Sequence, residues 1–131
     1  MYGLVLEGGG AKGAYHIGAL KALEELNIEI EAVAGTSIGA MNGAMFVQGK
    51  LDLAYDYWYN ISTSKVLDIE DKYLSEILNL SINQNNLSYF INKAREVLQH
   101  GGLDNSFLKE ILENNIDEDD FRKTDLDFAI V

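Results

Sequence analysis

Two glycine clusters, each set between a short apolar run and a helical pattern, constrain this chain more than any other feature. Tyr2 to Leu6 is an apolar run that stops before Gly8-Gly9-Gly10-Ala11-Lys12-Gly13, and Ala32-Val33-Ala34 is another that stops at Gly35-Thr36-Ser37-Ile38-Gly39. Short apolar runs closed by glycine read as buried strands. Between them Tyr15, Ile17, Ala19, Leu20, Ala22, Leu23 and Leu26 recur at helical spacing, which predicts a helix over 14–26 ended by Asn27. Residues 38–47 read as a second helix, and its Gly39, Ala40, Gly43 and Ala44 require a neighbouring element to approach closely. Strand, glycine loop, helix, strand, sharp turn, helix is the order of an α/β protein with a parallel sheet.

The chain between residues 50 and 120 reads as almost wholly helical. Leu51, Ala54, Tyr55, Trp58 and Tyr59 form one stripe, Leu74, Ile77 and Leu78 begin a second, and Leu87, Phe90, Ile91, Ala94 and Leu98 form a third. Gly101-Gly102 breaks the third, and a further helix follows over 106–114 with Asp104 or Asn105 as its cap. The aromatic cluster 55–59 could face a lipid, but its helical spacing favours packing in the core. The acidic run Asp117 to Asp120 reads as a solvated helix start in preference to a metal site. Leu126 to Val131 is a third strand, and a chain ending on it leads us to expect a truncated domain spanning 1–131 with a large helical insertion.

Composition narrows the function classes. With 21 acidic and 10 basic residues the formal charge is −11, which disfavours a phosphate backbone as partner, so no nucleic acid is expected. Attraction to an anionic membrane is equally disfavoured, and any peripheral membrane contact has to be apolar. The chain has no cysteine, which removes disulfides and thiolate metal sites. No signal-peptide pattern and no run near ~18 apolar residues is present, which leads us to expect a cytoplasmic protein.

A Gly-x-Ser-x-Gly turn between a strand and a helix puts its serine on a strained corner, with Gly35 and Gly39 small because the backbone doubles back. Ser37 would then sit at a helix N-terminus, whose partial positive charge favours an alkoxide or a tetrahedral oxyanion. The first cluster also satisfies Gly-x-Gly-x-x-Gly, but the second strand ends in Gly35-Thr36-Ser37, without the acidic residue that holds a ribose. A nucleotide P-loop fails as well, because Ala14 follows Gly13 where lysine is required. What remains is a run of N–H groups at the mouth of a helix, suited to an oxyanion or to a phosphate.

The two loops together, in this order and spacing, resemble the patatin-like phospholipase family, whose members carry Gly-Gly-Gly-x-Lys/Arg-Gly after the first strand and Gly-x-Ser-x-Gly after the second. The likeness is close over residues 2–49 and includes the basic residue, Lys12; Gly102-Leu103-Asp104 is a weaker likeness. The resemblance implies a three-layer α/β/α sandwich built on a parallel sheet and a lipid acyl hydrolase that works without metal or cofactor. Ser37 is then the nucleophile, Gly8, Gly9 and Gly10 the oxyanion hole, Lys12 and Gly13 loop or substrate-binding residues, and a lipid or acyl ester the substrate. It also implies an aspartate partner in an Asp-Gly-Gly/Ala motif. This chain has no Asp-Gly dipeptide, so the aspartate is expected after Val131 and the chain is expected to be inactive or weakly active alone.

Other bases fare worse. His16, on the first helix, reads as a structural histidine, and His100 as the C-terminal histidine of the third amphipathic helix. Asp56, Asp68 and Asp104 have no motif to recommend them. Two rival functions stay open from the residues alone: a phosphate or nucleotide module using the glycine loop, and a non-catalytic association scaffold with an exposed last strand.

Overall fold

The structure, a computed structural model, describes residues 2–61, 87–100 and 106–131. It divides into two compact units, one formed by Met1–Asn60 with Leu112–Val131 and the other by Ile61–Ile111.

The first unit is built on a three-stranded parallel sheet of β1 (Tyr2–Leu6), β2 (Ile30–Gly35) and β3 (Asp127–Ile130). The spatial order is β1-β2-β3, with Leu4 opposite Val33 and Leu6 opposite Gly35. On the other side of β2, Val33 pairs with Phe128 and Gly35 with Ile130. Both crossovers therefore step in one direction, and right-handed crossovers that step one way place their helices on one face. Those helices are α1 (Gly13–Glu25), α2 (Ile38–Val47) and α3 (Leu51–Asn60). Leu6, Ile17, Leu20, Val33, Met45, Val47, Leu51 and Ala54 form the core between sheet and helices.

The opposite sheet face carries Gly3, Val5, Ala32, Ala34 and Ala129, and Val5 is 81% exposed. The described residues thus supply the sheet and one helical layer of the α/β/α arrangement. No described residue covers the second face.

α2 lies unusually close to the sheet. A Cβ on Gly43 would come within 3.0 Å of Val33 Cγ1 and 3.1 Å of Phe128 Cε2, which explains the small residues expected there. α1 is tied to α3 by Lys21 donating to the Asp52 carboxylate, and that hydrogen bond is the main reason the Lys21 pKa is raised.

The remaining described elements are α4 (Leu87–His100), α5 (Ser106–Asn115) and α6 (Glu118–Lys123). In α4 the rings of Tyr89 and Phe90 meet edge to face at 5.6 Å. The Asp117 carboxylate caps α6 by accepting from the N–H groups of Asp119 and Asp120, so the acidic run is a helix start as expected. The 115–120 segment is held against the α2–α3 corner. Lys50 Nζ donates to the Asn115 carbonyl at 2.9 Å and pairs with Asp120 at 2.8 Å, while Asp117 N–H donates to Gln48 Oε1 at 2.9 Å.

The strand and helix boundaries fall within two residues of those expected for β1, β2, α1, α2 and β3. The stripe beginning at Leu74, with Asp68, Gly101, Gly102 and Asp104, lies outside the described residues. One expectation is corrected. Leu51 and Ala54 are buried and Tyr57 and Trp58 partly so, but Tyr55 and Tyr59 are 45% and 78% exposed. Those two rings stack on each other at 6.1 Å, one helical turn apart on the outer edge of α3.

Candidate functional site

The corner at Ser37 is set by backbone sterics on both sides. A Cβ on Gly35 would fall 2.5 Å from the Ala40 nitrogen, and one on Gly39 would fall 2.3 Å from the Leu6 carbonyl oxygen. Real side chains do not reach such distances from backbone atoms, so both positions are confined to glycine. Between them Ser37 holds φ 52°, ψ −122°, an unfavourable conformation for a residue with a side chain, costing roughly 1–3 kcal/mol. The surrounding bonds hold it there: Thr36 N–H donates to Leu6 O at 3.1 Å, Gly39 N–H to Thr36 O at 2.9 Å and Ala40 N–H to Ser37 O at 2.9 Å.

Ser37 is therefore the exposed residue ahead of α2, at the C-terminal edge of the sheet. Ligands of open α/β sheets gather at that edge. Its hydroxyl makes no hydrogen bond among the described residues.

The glycine loop reaches the same edge. Gly8 lies against the corner, close enough that a Cβ built on it would be 3.5 Å from Ser37 Cβ. Gly9 has φ 139° and Gly10 φ 53°, and a 3₁₀ turn over Gly10–Lys12 then leads into α1. Among the described residues, the N–H groups of Gly8, Gly9 and Gly10 donate no hydrogen bond. Of the three, Gly8 is the one that lies against Ser37, which also sits at the N-terminus of α2; N–H groups and helix N-termini of this kind favour negative charge.

Lys12 does not turn into the corner as a free charge. Its Nζ pairs with Glu7 Oε1 at 3.1 Å, with both side chains about two-thirds exposed. Its methylenes pack over Gly9, where a Cβ would meet Lys12 Cδ at 2.8 Å. The lysine thus braces the loop.

Asn42 on α2 was not singled out by sequence reasoning, and it links everything around the corner. It is 3% exposed, and its Nδ2 donates to the Gly13 carbonyl at 2.9 Å. Its Oδ1 accepts from Trp58 Nε1, also at 2.9 Å. The indole in turn lies on Gly13, where a Cβ would be 2.2 Å from Trp58 Cζ2 and 2.7 Å from Ile38 Cγ1. One amide therefore ties the end of the glycine loop, the helix that carries Ser37, and α3.

His16 is 6% exposed, and among the described residues its Nδ1 has no hydrogen-bond partner. It is a core residue of α1, in line with the structural reading. His100 ends α4, in the other compact unit. Among the described residues no group of three His, Asp or Glu side chains is placed to hold a metal ion. Nor is any described helix long and apolar enough to cross a membrane.

Ser37 also opens onto a groove of about 500 Å³, lined by α2, by residues 112–121 and by β3. Apart from Ser37 itself, the side chains lining it are all Ala, Met, Leu, Ile or Phe.

Comparison with known proteins bears on this geometry. The family profile described as patatin-like phospholipase matches residues 4–131. A patatin-like phospholipase domain-containing protein, ZK370.4 of Caenorhabditis elegans, is 42% identical over 74 residues, covering 51% of this chain and 6% of that protein. Lysophospholipase nte1 of Aspergillus terreus is 56% identical over 46 residues, 35% of this chain and 3% of its own length. Neuropathy target esterase sws of Drosophila persimilis is 61% identical over 44 residues, 34% of this chain and 3% of its own. The chain therefore corresponds to a small fraction of these relatives. No solved structure matches.

Proposed function

Since the chain belongs to the patatin-like phospholipase family, we propose that it carries the nucleophilic half of a lipid acyl hydrolase site centred on Ser37. The observation that carries this reading is the strained, exposed Ser37 corner with Gly8 packed against it and a glycine loop whose N–H groups donate no hydrogen bond among the described residues. Relatives named as a lysophospholipase and as an esterase support an ester of a lipid as the substrate.

In the proposed reaction Ser37 Oγ attacks the ester carbonyl and its proton passes to a general base. The tetrahedral oxyanion is held by the glycine N–H groups and by the N-terminus of α2, an arrangement worth about 3–4 kcal/mol per donor in serine hydrolases. Collapse expels the alcohol and leaves an acyl-serine, which water opens to release the fatty acid. The base that the family resemblance implies is an aspartate of an Asp-Gly-Gly/Ala motif, and this sequence has no Asp-Gly dipeptide. Val131 N–H donates to the Gly35 carbonyl at 3.0 Å, so the end of β3 lies alongside the Ser37 corner. Lys12 and Gly13 hold the loop's shape, the first through Glu7 and the second by admitting Trp58.

A phosphate-binding role is less well supported, because Glu7 offsets the Lys12 charge and sets a carboxylate beside the loop. Labelling with a fluorophosphonate tests the assignment. The chain, lacking the aspartate, should be modified slowly at Ser37, and Ser37→Ala should remain unlabelled; equal labelling of the variant would refute it.

A further inference from the structure

We infer that Glu7 is a specificity-determining residue: by cancelling the Lys12 charge near Ser37 it turns the site away from anionic head groups. This rests on Ser37 as the nucleophile and goes further by naming the charge class of the substrate, an ester whose head group is uncharged or zwitterionic.

The charge of the site comes from two side chains. Among residues 6–13 and 35–41, which make up both loops, Glu7 and Lys12 are the only charged ones. The groove that opens at Ser37 is otherwise lined by apolar side chains and gives a charge no partner. A charged head group on a bound ester is left at the solvent edge, where the glycine loop carries this pair.

Contacts within the loops hold both members there. Glu7 abuts the corner through its backbone, since a Cβ on Gly39 would stand 2.6 Å from the Glu7 carbonyl oxygen. Lys12 lays its methylenes over Gly9 and ends on Glu7 Oε1 at 3.1 Å. One residue separates Glu7 from the nucleophile. A Cβ on Gly8 would lie 3.5 Å from Ser37 Cβ. The step from Gly8 back to Glu7 adds ~3.8 Å, which puts the ion pair on the order of 10 Å from Ser37.

Lys12 alone would make this mouth attract anions, because its ammonium would add to the unused glycine N–H groups and to the helix N-terminus. Paired at 3.1 Å, the two side chains act instead as a short dipole, whose field fades faster than that of a single charge. The chain as a whole, at −11, then repels an anionic head group. Both side chains are about two-thirds exposed, so the pair adds little to stability. Its main consequence is electrostatic, for whatever approaches Ser37.

The test follows Ser37 labelling with three fluorophosphonates that share one alkyl chain and differ only in an alkoxy group ending in hydroxyl, trimethylammonium or sulfonate. Each rate is divided by that of the hydroxyl probe in the same protein, which cancels a general disturbance of the loop. In Glu7→Gln the sulfonate ratio should rise about two- to fivefold at low salt, as expected for one uncovered charge ~10 Å away, and the trimethylammonium ratio should fall. Adding Lys12→Gln makes the loop neutral again and should return both ratios to those of the parent. The rise should vanish near ~1 M salt, where the Debye length is ~3 Å.

The parent supplies a check that needs no variant to fold. Its sulfonate rate should hold or climb as salt is added, because salt screens the repulsion from the −11 chain. Equal sulfonate ratios in the parent and in folded Glu7→Gln, or a parent sulfonate rate that falls with salt, overturn the role of Glu7 while leaving Ser37 as the nucleophile. Failure of all three probes to label Ser37 overturns the nucleophile assignment and this inference together.

Discussion

Replacing Asn42 by alanine isolates what the amide contributes, because its two side-chain hydrogen bonds run to elements 29 and 16 residues away in the chain. Each neutral bond contributes about 1 kcal/mol. Losing the amide also leaves the Trp58 indole N–H without its acceptor. A buried orphan donor costs about 1–3 kcal/mol, and the partly exposed indole belongs at the low end of that range. The carbonyl of Gly13 is penalised less, since it sits in the first turn of α1 and keeps its helical partner. The total is about 2–4 kcal/mol, a large share of the ~5–15 kcal/mol that stabilises a typical domain. Urea denaturation followed by far-ultraviolet circular dichroism measures it in every variant. Trp58→Phe removes the donor while keeping the ring over Gly13, so its cost should stay near 1 kcal/mol. The double variant should show a coupling of about 1 kcal/mol, because the shared bond can be lost only once. Strict additivity of the two substitutions, or a loss under ~0.5 kcal/mol for Asn42→Ala, would refute the argument that the amide holds the loop, α2 and α3 together.

Gly39→Ala should destabilise by at least about 2 kcal/mol and abolish Ser37 labelling, since the new methyl meets the carbonyl oxygens of Leu6 and Glu7 at 2.3 and 2.6 Å. Gly3→Ala is the matched control, with nothing within 4 Å of the added carbon, and should stay within ~0.5 kcal/mol of the parent in the same denaturation assay. The Asp120 carboxyl has a lowered pKa, chiefly through its bond to Lys50 and then through Lys123. A depressed folded-state value stabilises the protein above the unfolded carboxylate range and loses that contribution as pH falls through the folded value. Asp120→Asn should therefore narrow its gap to the parent between pH 5 and pH 3 in denaturation curves; a gap that widens on acidification would contradict the Lys50 contact.

How much of this was legible in the sequence depends on what kind of demand each residue answers. The corner could be read because backbone sterics leave a signature in residue type. Where a Cβ would strike the Ala40 nitrogen or the Leu6 carbonyl only glycine fits, and Gly35 and Gly39 announce that without reference to the rest of the chain. The same holds for β1, β2 and α2, whose apolar runs and small residues are local patterns. Demands met by distant partners leave no such trace. An asparagine within Gly39 to Val47 looks like a residue on a polar face, and only the folded chain shows it meeting Gly13 and Trp58.

The aromatic cluster failed for a related reason. On a helix of ten residues, Trp58 and Tyr59 lie on adjacent rows, and periodicity alone does not say which row meets α1 and α2. The apolar groove beside Ser37 is the extreme case, since its walls come from residues 37–44 and 112–130, joined only when β3 returns beside β2. Ser37 and the glycine loop, by contrast, each belong to one β-loop-helix unit, so their signatures survive in a short stretch of chain. The groove is assembled from both ends of the chain, so no local run of residues announces it, and a chain could keep both glycine loops while changing its walls.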